Sequence, residues 1–390
     1  MIKRELESKL LELAKKFPVV SVTGPRQSGK TTLLKVSFPE YTYTSLEDPD
    51  TRIIASEDPR SFLVMSDKMI IDEIQRLPEL FSYIQTITDQ TGISGQFIIS
   101  GSQSFLLNKD IAQSLAGRVA VLRLLPFSYI ELRGADINFS SYETLIHKGF
   151  YPRIYDKEID PADFFPSYIQ TYIERDVRLL QNIRDLNLFV RFMKLCAGRT
   201  GQLLNMNSLA NDTGVSVNTV KSWISVLEAS FVIFLLSPHH KNFNKRLVKM
   251  PKLYFFDTGL ACSLLGIETA SQLKTHYLTG GLFENFVISE LIKSRYHRGL
   301  RNNCYFWRDH KGNEVDCLIE KAQILIPVEI KSARTYTKKL FKGLIYWKKI
   351  SGNEKKEKFL IYGGDNDRLL EDYRIISWKN INNLINMVNR

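Results

Sequence analysis

One short segment limits the folds open to this chain of 390 residues more than any other. Residues 24–31 fit the pattern GxxxxGK[ST], with a strand candidate before them (19–23) and a helix candidate after them (31–35). The glycines let backbone N–H groups turn inward around phosphate oxygens, Lys30 brings a positive charge, and Thr31 offers a hydroxyl to Mg²⁺. Barring a chance match in a glycine loop, the segment predicts a site for ATP and Mg²⁺. Its residues are Gly24, Pro25, Arg26, Gln27, Ser28, Gly29, Lys30, Thr31 and Thr32.

Residues 69–73, Met-Ile-Ile-Asp-Glu, predict the second half of this site. An apolar strand would deliver Asp72 to its carboxyl end, where the side chain can hold Mg²⁺ through water. Glu73 can orient and deprotonate an attacking water, which favours hydrolysis over transfer to an acceptor. The alternative is a strand that ends in a solvated acidic turn.

Strands and helices alternate up to Leu125, which predicts a parallel α/β sheet. We expect a strand candidate, Tyr41–Leu46, to lie between the P-loop strand and the Asp72 strand, as in the additional-strand class of P-loop ATPases. Members of that class sense the γ-phosphate with a polar residue after the next strand, which here is Phe97–Ile99. We expect Ser102 rather than Ser100 to be that residue, and a plain turn serine is the alternative.

Arg118 follows a helical stretch and directly precedes a strand candidate, Val119–Leu125. An arginine there resembles the finger that AAA+ proteins insert into a neighbour's ATP site, where it stabilises the transition-state charge. This interpretation predicts a homo-oligomer, because the finger acts on another subunit. The alternative is a surface arginine that closes a helix.

Residues 208–224 predict two helices joined by a glycine turn, with Ser216 capping the second helix. Phe231–Leu236 would follow as a wing strand, so the pattern favours a winged helix. The alternative is that the winged helix does not bind DNA, since winged helices also serve as packing modules inside ATPases. Four side chains of the second helix are expected to face outward: Asn218, Thr219, Lys221 and Ser222. Four basic residues follow the wing strand: Lys241, Lys245, Arg246 and Lys249.

Residues 314–331 predict a β-hairpin with two carboxylates and a lysine on one face. With a loop at Glu320–Gln323, Ile319 would pair with Ile324, Glu314 would lie opposite Glu329, and Asp316 opposite Pro327. Asp316, Glu329 and Lys331 would then converge on a surface, where the carboxylates could bind one or two Mg²⁺ and the lysine could position water. Glu284, on a helix candidate at 281–296, would add a third carboxylate ligand. The alternative is an amphipathic hairpin with a charged, solvated face.

The basic character of the chain belongs to its second half. The formal net charge is +11, but residues 1–190 contain 22 Lys and Arg against 25 Asp and Glu, a net of −3. Residues 191–390 therefore carry +14, which favours DNA as a partner of this half. A well-solvated basic surface is the alternative.

Other features narrow the class of protein. The four cysteines form no CxxC pair, which disfavours a zinc ribbon and fits a reducing compartment. No apolar run approaches the roughly 20 residues of a membrane span, and the N-terminus does not resemble a signal peptide. We therefore expect a cytoplasmic protein without a membrane partner.

The chain resembles prokaryotic AAA-type ATPases fused to a C-terminal winged-helix and restriction-endonuclease-like domain of uncharacterised function. The resemblance covers nearly the whole chain. It rests on GPRQSGKTT, Leu46–Pro49, IIDEIQ, ISGSQS, LAGR before LPFSYIEL, Gly149–Arg153, Tyr172–Val177, Phe255–Leu260, GLFENFVISEL, FWRDHKGNEVDCLIE and PVEIKSA. One departure concerns the nuclease signature, which begins with Pro-Asp, whereas Asp316 follows Val315.

The resemblance implies an α/β fold in four parts. Residues 1–135 would form an AAA+-like P-loop NTPase core, 136–190 a helical lid, 191–250 the winged helix, and 251–390 a PD-(D/E)XK nuclease-like α/β domain. The catalytic residues would be Lys30, Glu73 and Arg118 for ATP, and Asp316, Glu329 and Lys331 for DNA. Metal ligands would be Thr31, Asp72, Glu284, Asp316 and Glu329.

We therefore predict an ATPase whose nucleotide state controls a basic, nuclease-like module that acts on DNA. In one alternative, the nuclease-like fold is catalytically silent and the protein is an ATP-dependent DNA- or partner-binding switch. In another, the P-loop domain is a small-molecule kinase, against which Glu73 and the fused winged helix argue.

Overall fold

A computed structural model describes residues 2–102, 114–173, 185–240, 247–322, 324–352, 357–370 and 373–389. The N-terminal part is a parallel sheet of five strands in the order β2-β3-β4-β1-β5. The strands are β1 (Val19–Thr23), β2 (Thr42–Ser45), β3 (Met69–Asp72), β4 (Phe97–Gly101) and β5 (Val119–Arg123). The helices are α1 (Leu6–Ala14), α2 (Lys30–Ser37), α3 (Pro49–Glu57), α4 (Pro59–Val64) and α5 (Leu80–Thr91).

The order of these strands brings distant motifs together. The strand that separates β1 from β3 in the sheet is β4, whereas β2 lies at the edge. The expectation that Tyr41–Leu46 lies between those two strands is therefore wrong, because the additional strand is β4. Because all five strands are parallel, their carboxyl ends meet at one edge. The P-loop, Asp72 and the turn at Gly101 therefore share that edge, and Arg118 lies at the opposite one, since Val19 is level with Val119.

A helical segment follows β5, as the sequence predicts. Its helices are α6 (Tyr129–Gly134), α7 (Tyr142–Lys148), α8 (Pro152–Asp156) and α9 (Pro161–Tyr168), and a π-helical turn, Ile169–Ile173, follows them. Ser128 and Glu131 form a reciprocal cap at the start of α6. Prolines occupy the first turns of α8 and α9, where the missing N–H costs nothing. Part of the motif at Tyr172–Val177 lies outside the described residues.

The two helices predicted at 208–224 form within a compact helical unit. It contains α10 (Leu186–Ala197), α11 (Met206–Thr213) and α12 (Val217–Ala229), followed by β6 (Ile233–Leu236) and β7 (Lys252–Phe255). The side chain of Ser216 caps α12 as expected. Because β6 pairs with β7, the predicted boundary at residue 250 falls between two paired strands. Lys241, Lys245 and Arg246 lie outside the described residues.

The C-terminal part is a mixed sheet of six strands in the order β12-β13-β11-β10-β9-β8. Strands β8 to β10 are antiparallel, and β10, β11 and β13 are parallel. The strands are β8 (Cys304–Arg308), β9 (Glu314–Lys321), β10 (Ile324–Lys331), β11 (Phe359–Tyr362), β12 (Arg368–Leu369) and β13 (Arg374–Ser377). The helices are α13 (Thr258–Leu264), α14 (Thr279–Tyr296), α15 (Lys342–Ser351) and α16 (Ile381–Asn389).

The predicted register of the β9–β10 hairpin is wrong by two residues. Ile324 pairs with Lys321 and Ile326 with Ile319, so the next residues along the ladder, Glu329 and Asp316, lie side by side. The connection is two residues long rather than four. A slip of two keeps every side chain on its predicted face, so the alternation of the sequence could not reveal it.

The charged face of this hairpin is not open surface. Leu318 and Leu325, on that face, pack with Trp347 of α15, and the opposite face packs into a core that α14 shares. That core extends from Leu125 to Val388, so the helical segment and the C-terminal sheet bury their apolar side chains together. No helix of the described residues is long and apolar enough to cross a membrane.

Candidate functional site

The P-loop joins β1 to α2 in a conformation that two glycines permit. Gly29 has φ +89°, a left-handed conformation that glycine adopts without strain, and it precedes the first residue of α2. A Cβ atom on Gly24 would lie 2.0 Å from the carbonyl oxygen of Leu124, so only glycine fits. The helix N-terminus therefore points its free N–H groups into the loop.

Lys30 is held over the loop by main-chain oxygens. Its side chain is buried, and Nζ donates to the carbonyl groups of Gly24 (2.9 Å) and Pro25 (2.9 Å). Buried side-chain oxygens of Gln27 and Ser28 have no partner among the described residues. The Ser28 hydroxyl and the buried ammonium group can both donate to an anionic ligand such as a phosphate. Thr32 lies exposed in the first turn of α2.

Asp72 is the centre of the hydrogen bonds beside the loop. Thr31 Oγ1 donates to Asp72 Oδ2 (2.6 Å), so the structure brings the two predicted Mg²⁺ ligands of this site together. Ser100 Oγ donates to Asp72 Oδ1 (2.5 Å), and Tyr43 OH donates to Oδ2 (3.0 Å). Burial, and then the nearby Asp72, raise the pKa of Tyr43 to about 12. Sequence analysis missed Tyr43, which lies in a half-exposed edge strand.

Glu73 is oriented by two side chains. Gln75 Nε2 donates to Glu73 Oε2 (2.5 Å), and Ser102 Oγ donates to the same oxygen (3.2 Å). Glu73 has φ 54° and ψ 42°, a left-handed conformation that is uncommon outside glycine. Ser102 thus lies beside the carboxylate predicted to activate water, and Ser100 lies beside the predicted metal ligand.

Two residues outside the motif contact the loop backbone. Arg4, which precedes α1, donates from Nη1 to the Ser28 carbonyl (2.7 Å), and Tyr168 OH donates to the Arg26 carbonyl (3.3 Å). Both residues are buried. No sequence pattern marks them, because each reaches the loop across a distance set by tertiary packing.

Arg118 does not contact the P-loop of its own chain. It pairs with Asp89 near the end of α5 (Nη2–Oδ2 2.9 Å), and its side chain is 32% exposed. The hydrogen bond from Arg118 lowers the pKa of Asp89. A partly exposed arginine at the amino edge of the sheet is placed to meet another molecule, although the ion pair alone also fits the structural alternative.

The C-terminal residues Asp316, Glu329 and Lys331 do converge. Lys331 Nζ lies 2.6 Å from Asp316 Oδ2 and 2.7 Å from Glu329 Oε2. The backbone N–H of Ile330 donates to Asp316 Oδ2 (2.8 Å), which fixes the carboxylate against the hairpin. The corrected register is what makes this arrangement possible.

The two carboxyl groups differ in protonation. Burial and the adjacent Asp316 raise the pKa of Glu329 to about 10. Burial would also raise the pKa of Asp316, but Lys331 and Lys252 outweigh it and lower that pKa to about 2. Near neutral pH, the pair therefore holds one proton and one negative charge.

These groups line a cavity of about 330 Å³ beneath α15. Lys339, Lys342 and Tyr346 also line it, so basic side chains border the carboxyl pair. A Cβ atom on Gly343 would lie 1.6 Å from Glu329 Oε1 and 2.5 Å from the backbone carbonyl oxygen of Glu314. Because a backbone carbonyl cannot swing aside as a side chain can, the first turn of α15 needs glycine at residue 343.

Glu284 faces a lysine rather than the Asp316–Glu329 pair. Its Oε1 accepts hydrogen bonds from Lys252 Nζ (2.9 Å) and Tyr254 OH (2.5 Å), both from β7. Lys252 also pairs with Glu314. Burial raises the pKa of Glu284. Sequence analysis missed Lys252 and Tyr254, although their spacing of two in a strand places them on one face.

Ligand atoms from Glu284, Asp316 and Glu329 do not gather closely enough to share one ion. Within the described ranges, the group of three that does gather is Glu5, Glu131 and His297, where Arg4 already pairs with Glu131 (Nε–Oε1 3.0 Å). The structure therefore separates Glu284 from the other two predicted metal ligands of this site, Asp316 and Glu329. The reason is Lys252, which occupies the space between Glu284 and the hairpin.

Three family models match this chain. Residues 16–133 match an AAA domain, so the N-terminal part is an AAA-type P-loop ATPase domain. Residues 139–271 match a domain of unknown function (DUF8612), and residues 279–381 match another (DUF4143).

Similar proteins include the uncharacterized proteins Rv2008c of Mycobacterium tuberculosis and Mb2031c of Mycobacterium bovis. Each is 32% identical to this chain over 339 residues, which cover 85% of this chain and 74% of the relative. Among solved structures, the Walker-type ATPase PABY2304 of Pyrococcus abyssi is 14% identical, with a TM-score of 0.40, and the match covers 68% of this chain and 96% of that one.

Proposed function

The chain belongs to the same family as the mycobacterial proteins Rv2008c and Mb2031c, and from that premise we propose that its AAA domain binds and hydrolyses ATP with Mg²⁺. The observation that carries the proposal is the contact between Thr31 and Asp72 beside the buried Lys30. Two distant parts of the chain, the P-loop and the end of β3, meet there in an arrangement that suits a metal–triphosphate ligand.

Each residue of this site has a proposed task. The P-loop N–H groups and Lys30 would hold the phosphates, and Thr31 and Asp72 would hold the metal. Mg·ATP supplies a polarised γ-phosphorus with a good leaving group. Glu73 would take the proton from the attacking water, and Gln75 and Ser102 keep its carboxylate in place.

We predict that Lys30→Ala abolishes nucleotide binding and that Glu73→Gln binds ATP but hydrolyses it about 10²–10⁴-fold more slowly. Phosphate release should be measured without any added acceptor, because a small-molecule kinase would then release little phosphate. Glu79→Gln alters an exposed carboxylate of the same domain and serves as the control. Hydrolysis like that of the wild type in Lys30→Ala or Glu73→Gln would contradict the site.

Arg118 is proposed to act on the ATP site of a neighbouring subunit in a homo-oligomer. Support comes from its position: it lies at the sheet edge away from its own P-loop, and it is partly exposed. A guanidinium group brought to a neighbour's γ-phosphate would stabilise the transition-state charge.

Mixing tests this trans action. Arg118→Ala and Glu73→Gln subunits should each be inactive, and a mixture should regain part of the turnover, because one subunit supplies the arginine and the other the base. Asp89→Asn breaks the same ion pair but keeps Arg118, so it should retain turnover. Absence of rescue, or equal losses in Asp89→Asn and Arg118→Ala, would assign Arg118 a structural role.

The nucleotide state is proposed to control a DNA-binding module formed by residues 191–390. Support comes from the +14 charge of this half and from α12, where Asn218 and Lys221 are exposed while Val220 and Ile224 are buried. This alternation suits a winged helix that presents polar side chains to DNA. A partner-binding switch with a silent C-terminal fold is the alternative.

A second candidate activity is metal-dependent cleavage of DNA at Asp316, Glu329 and Lys331. The specific support is the carboxyl pair that shares one proton beside a lysine in a cavity with a basic border. Such a donor set suits one divalent cation, which would replace the shared proton. Bound there, Mg²⁺ would supply an activated water and stabilise the leaving oxygen.

We predict that DNA cleavage in Mg²⁺ or Mn²⁺, if driven by this pair, disappears in Asp316→Asn and in Lys331→Met. Glu320→Gln changes a carboxylate in the same hairpin but outside the cavity, so its activity should match that of the wild type. The assay should use duplex, single-stranded and branched DNA, with and without ATP. Salt-sensitive DNA binding without cleavage would favour the silent switch.

A further inference from the structure

A buried lysine lies inside the C-terminal carboxylate cluster, by which we mean Glu284, Glu314, Asp316 and Glu329. Lys252 is 2% exposed, and its ammonium group pairs with Glu284 (Nζ–Oε1 2.9 Å) and with Glu314. Burial alone would lower the pKa of Lys252, but Glu284, Glu314 and Asp316 outweigh it and raise that pKa. The lysine is therefore charged in a place that excludes water.

Two ammonium groups divide the cluster between them. Lys252 bridges Glu284 and Glu314, whereas Lys331 bridges Asp316 and Glu329 (2.6 and 2.7 Å). Each lysine thus contacts one pair of carboxyl groups, and each pair is a set of oxygen donors that could hold a cation.

Basic side chains already fill the half of the cluster at Glu284 and Glu314. Arg308 also pairs with Glu314 (Nη1–Oε2 3.0 Å), so this carboxylate contacts two basic groups, Lys252 and Arg308. Asp316 and Glu329 contact Lys331, which is partly exposed, whereas Lys252 is buried. The buried position between Glu284 and Glu314 therefore already holds a cation.

We propose that the Lys252 ammonium group occupies the second cation position of this cluster, so that the site takes one divalent cation, at Asp316 and Glu329, rather than two. The inference deepens the metal-dependent role proposed above and rests on it for the first ion. Lys252 belongs to β7, which pairs with β6, so the charge reaches the cluster from the unit that carries α11 and α12.

Counting bound Mn²⁺ tests the proposal. The full-length protein without nucleotide is titrated with Mn²⁺, and free Mn²⁺ is measured by electron paramagnetic resonance. Lys252→Met keeps a long side chain but removes the charge, so it should bind one Mn²⁺ more than the wild type. Lys274→Met, at an exposed position, should keep the wild-type count. Equal counts in Lys252→Met and the wild type would overturn the proposal.

The number of Mn²⁺ ions bound by the wild type tests separately whether a cation binds at Asp316 and Glu329. Asp316→Asn should remove the ion that the wild type binds. Suppose that the wild type binds no Mn²⁺ and the Lys252→Met protein binds one. This result would refute the metal-dependent role of Asp316 and Glu329, and it would support the proposal that Lys252 occupies a cation position.

Thermal unfolding gives a second reading if Lys252→Met folds poorly. Removing the ammonium group leaves the partly buried Glu284 and Glu314 without their shared cation, so the Tm should fall and Mn²⁺ should restore part of it. In Lys252→Met/Glu284→Gln, the Tm should depend less on Mn²⁺. A Tm of Lys252→Met that Mn²⁺ does not raise would contradict the proposal.

Discussion

A layer of buried charged side chains joins the AAA domain to helix α14, and the relation between the two candidate sites depends on it. Arg4 donates to the P-loop carbonyl of Ser28 (2.7 Å) and to Glu131 (3.0 Å). His297, just after α14, lies fully buried against Glu131 (Nδ1–Oε1 3.7 Å). Because a buried charge that loses its partner costs several kcal/mol, Arg4 and Glu131 hold each other in place. A shift of the P-loop backbone at Ser28 would therefore change the packing of Glu131 against His297 at the end of α14.

Helix α14 reaches from this layer to the carboxylate cluster. Near its C-terminal end, Lys293 donates to the Phe127 carbonyl (2.9 Å), and Glu290 accepts from the Tyr129 N–H (2.6 Å). Its 18 residues span roughly 27 Å at 1.5 Å per residue, and Glu284 near the other end pairs with Lys252. One rigid element thus contacts the surroundings of both candidate sites. This gives a physical route for the proposed control of the C-terminal module by nucleotide.

The sequence could predict the position of a residue when a single loop or strand sets that position. Lys30, Thr31, Asp72 and Glu73 could be placed because a loop and two strand ends suffice to position them. The convergence of Asp316, Glu329 and Lys331 followed from strand alternation, although the two-residue slip left that alternation unchanged. Arg4, Tyr43 and Lys252 could not be found in this way, since each acts across a tertiary contact. Lys252 also explains why the predicted third ligand, Glu284, does not reach the hairpin pair.

The proposed control of the C-terminal module by nucleotide requires that α14 respond to nucleotide bound at the P-loop. Hydrogen exchange of the Glu73→Gln protein, with and without ATP and Mg²⁺, tests it most directly, because the bound nucleotide is not turned over. The account predicts that ATP changes amide exchange at residues 127–131 and at 279–297 as well as in the P-loop. A change confined to residues 24–32 and 72–75 would contradict it.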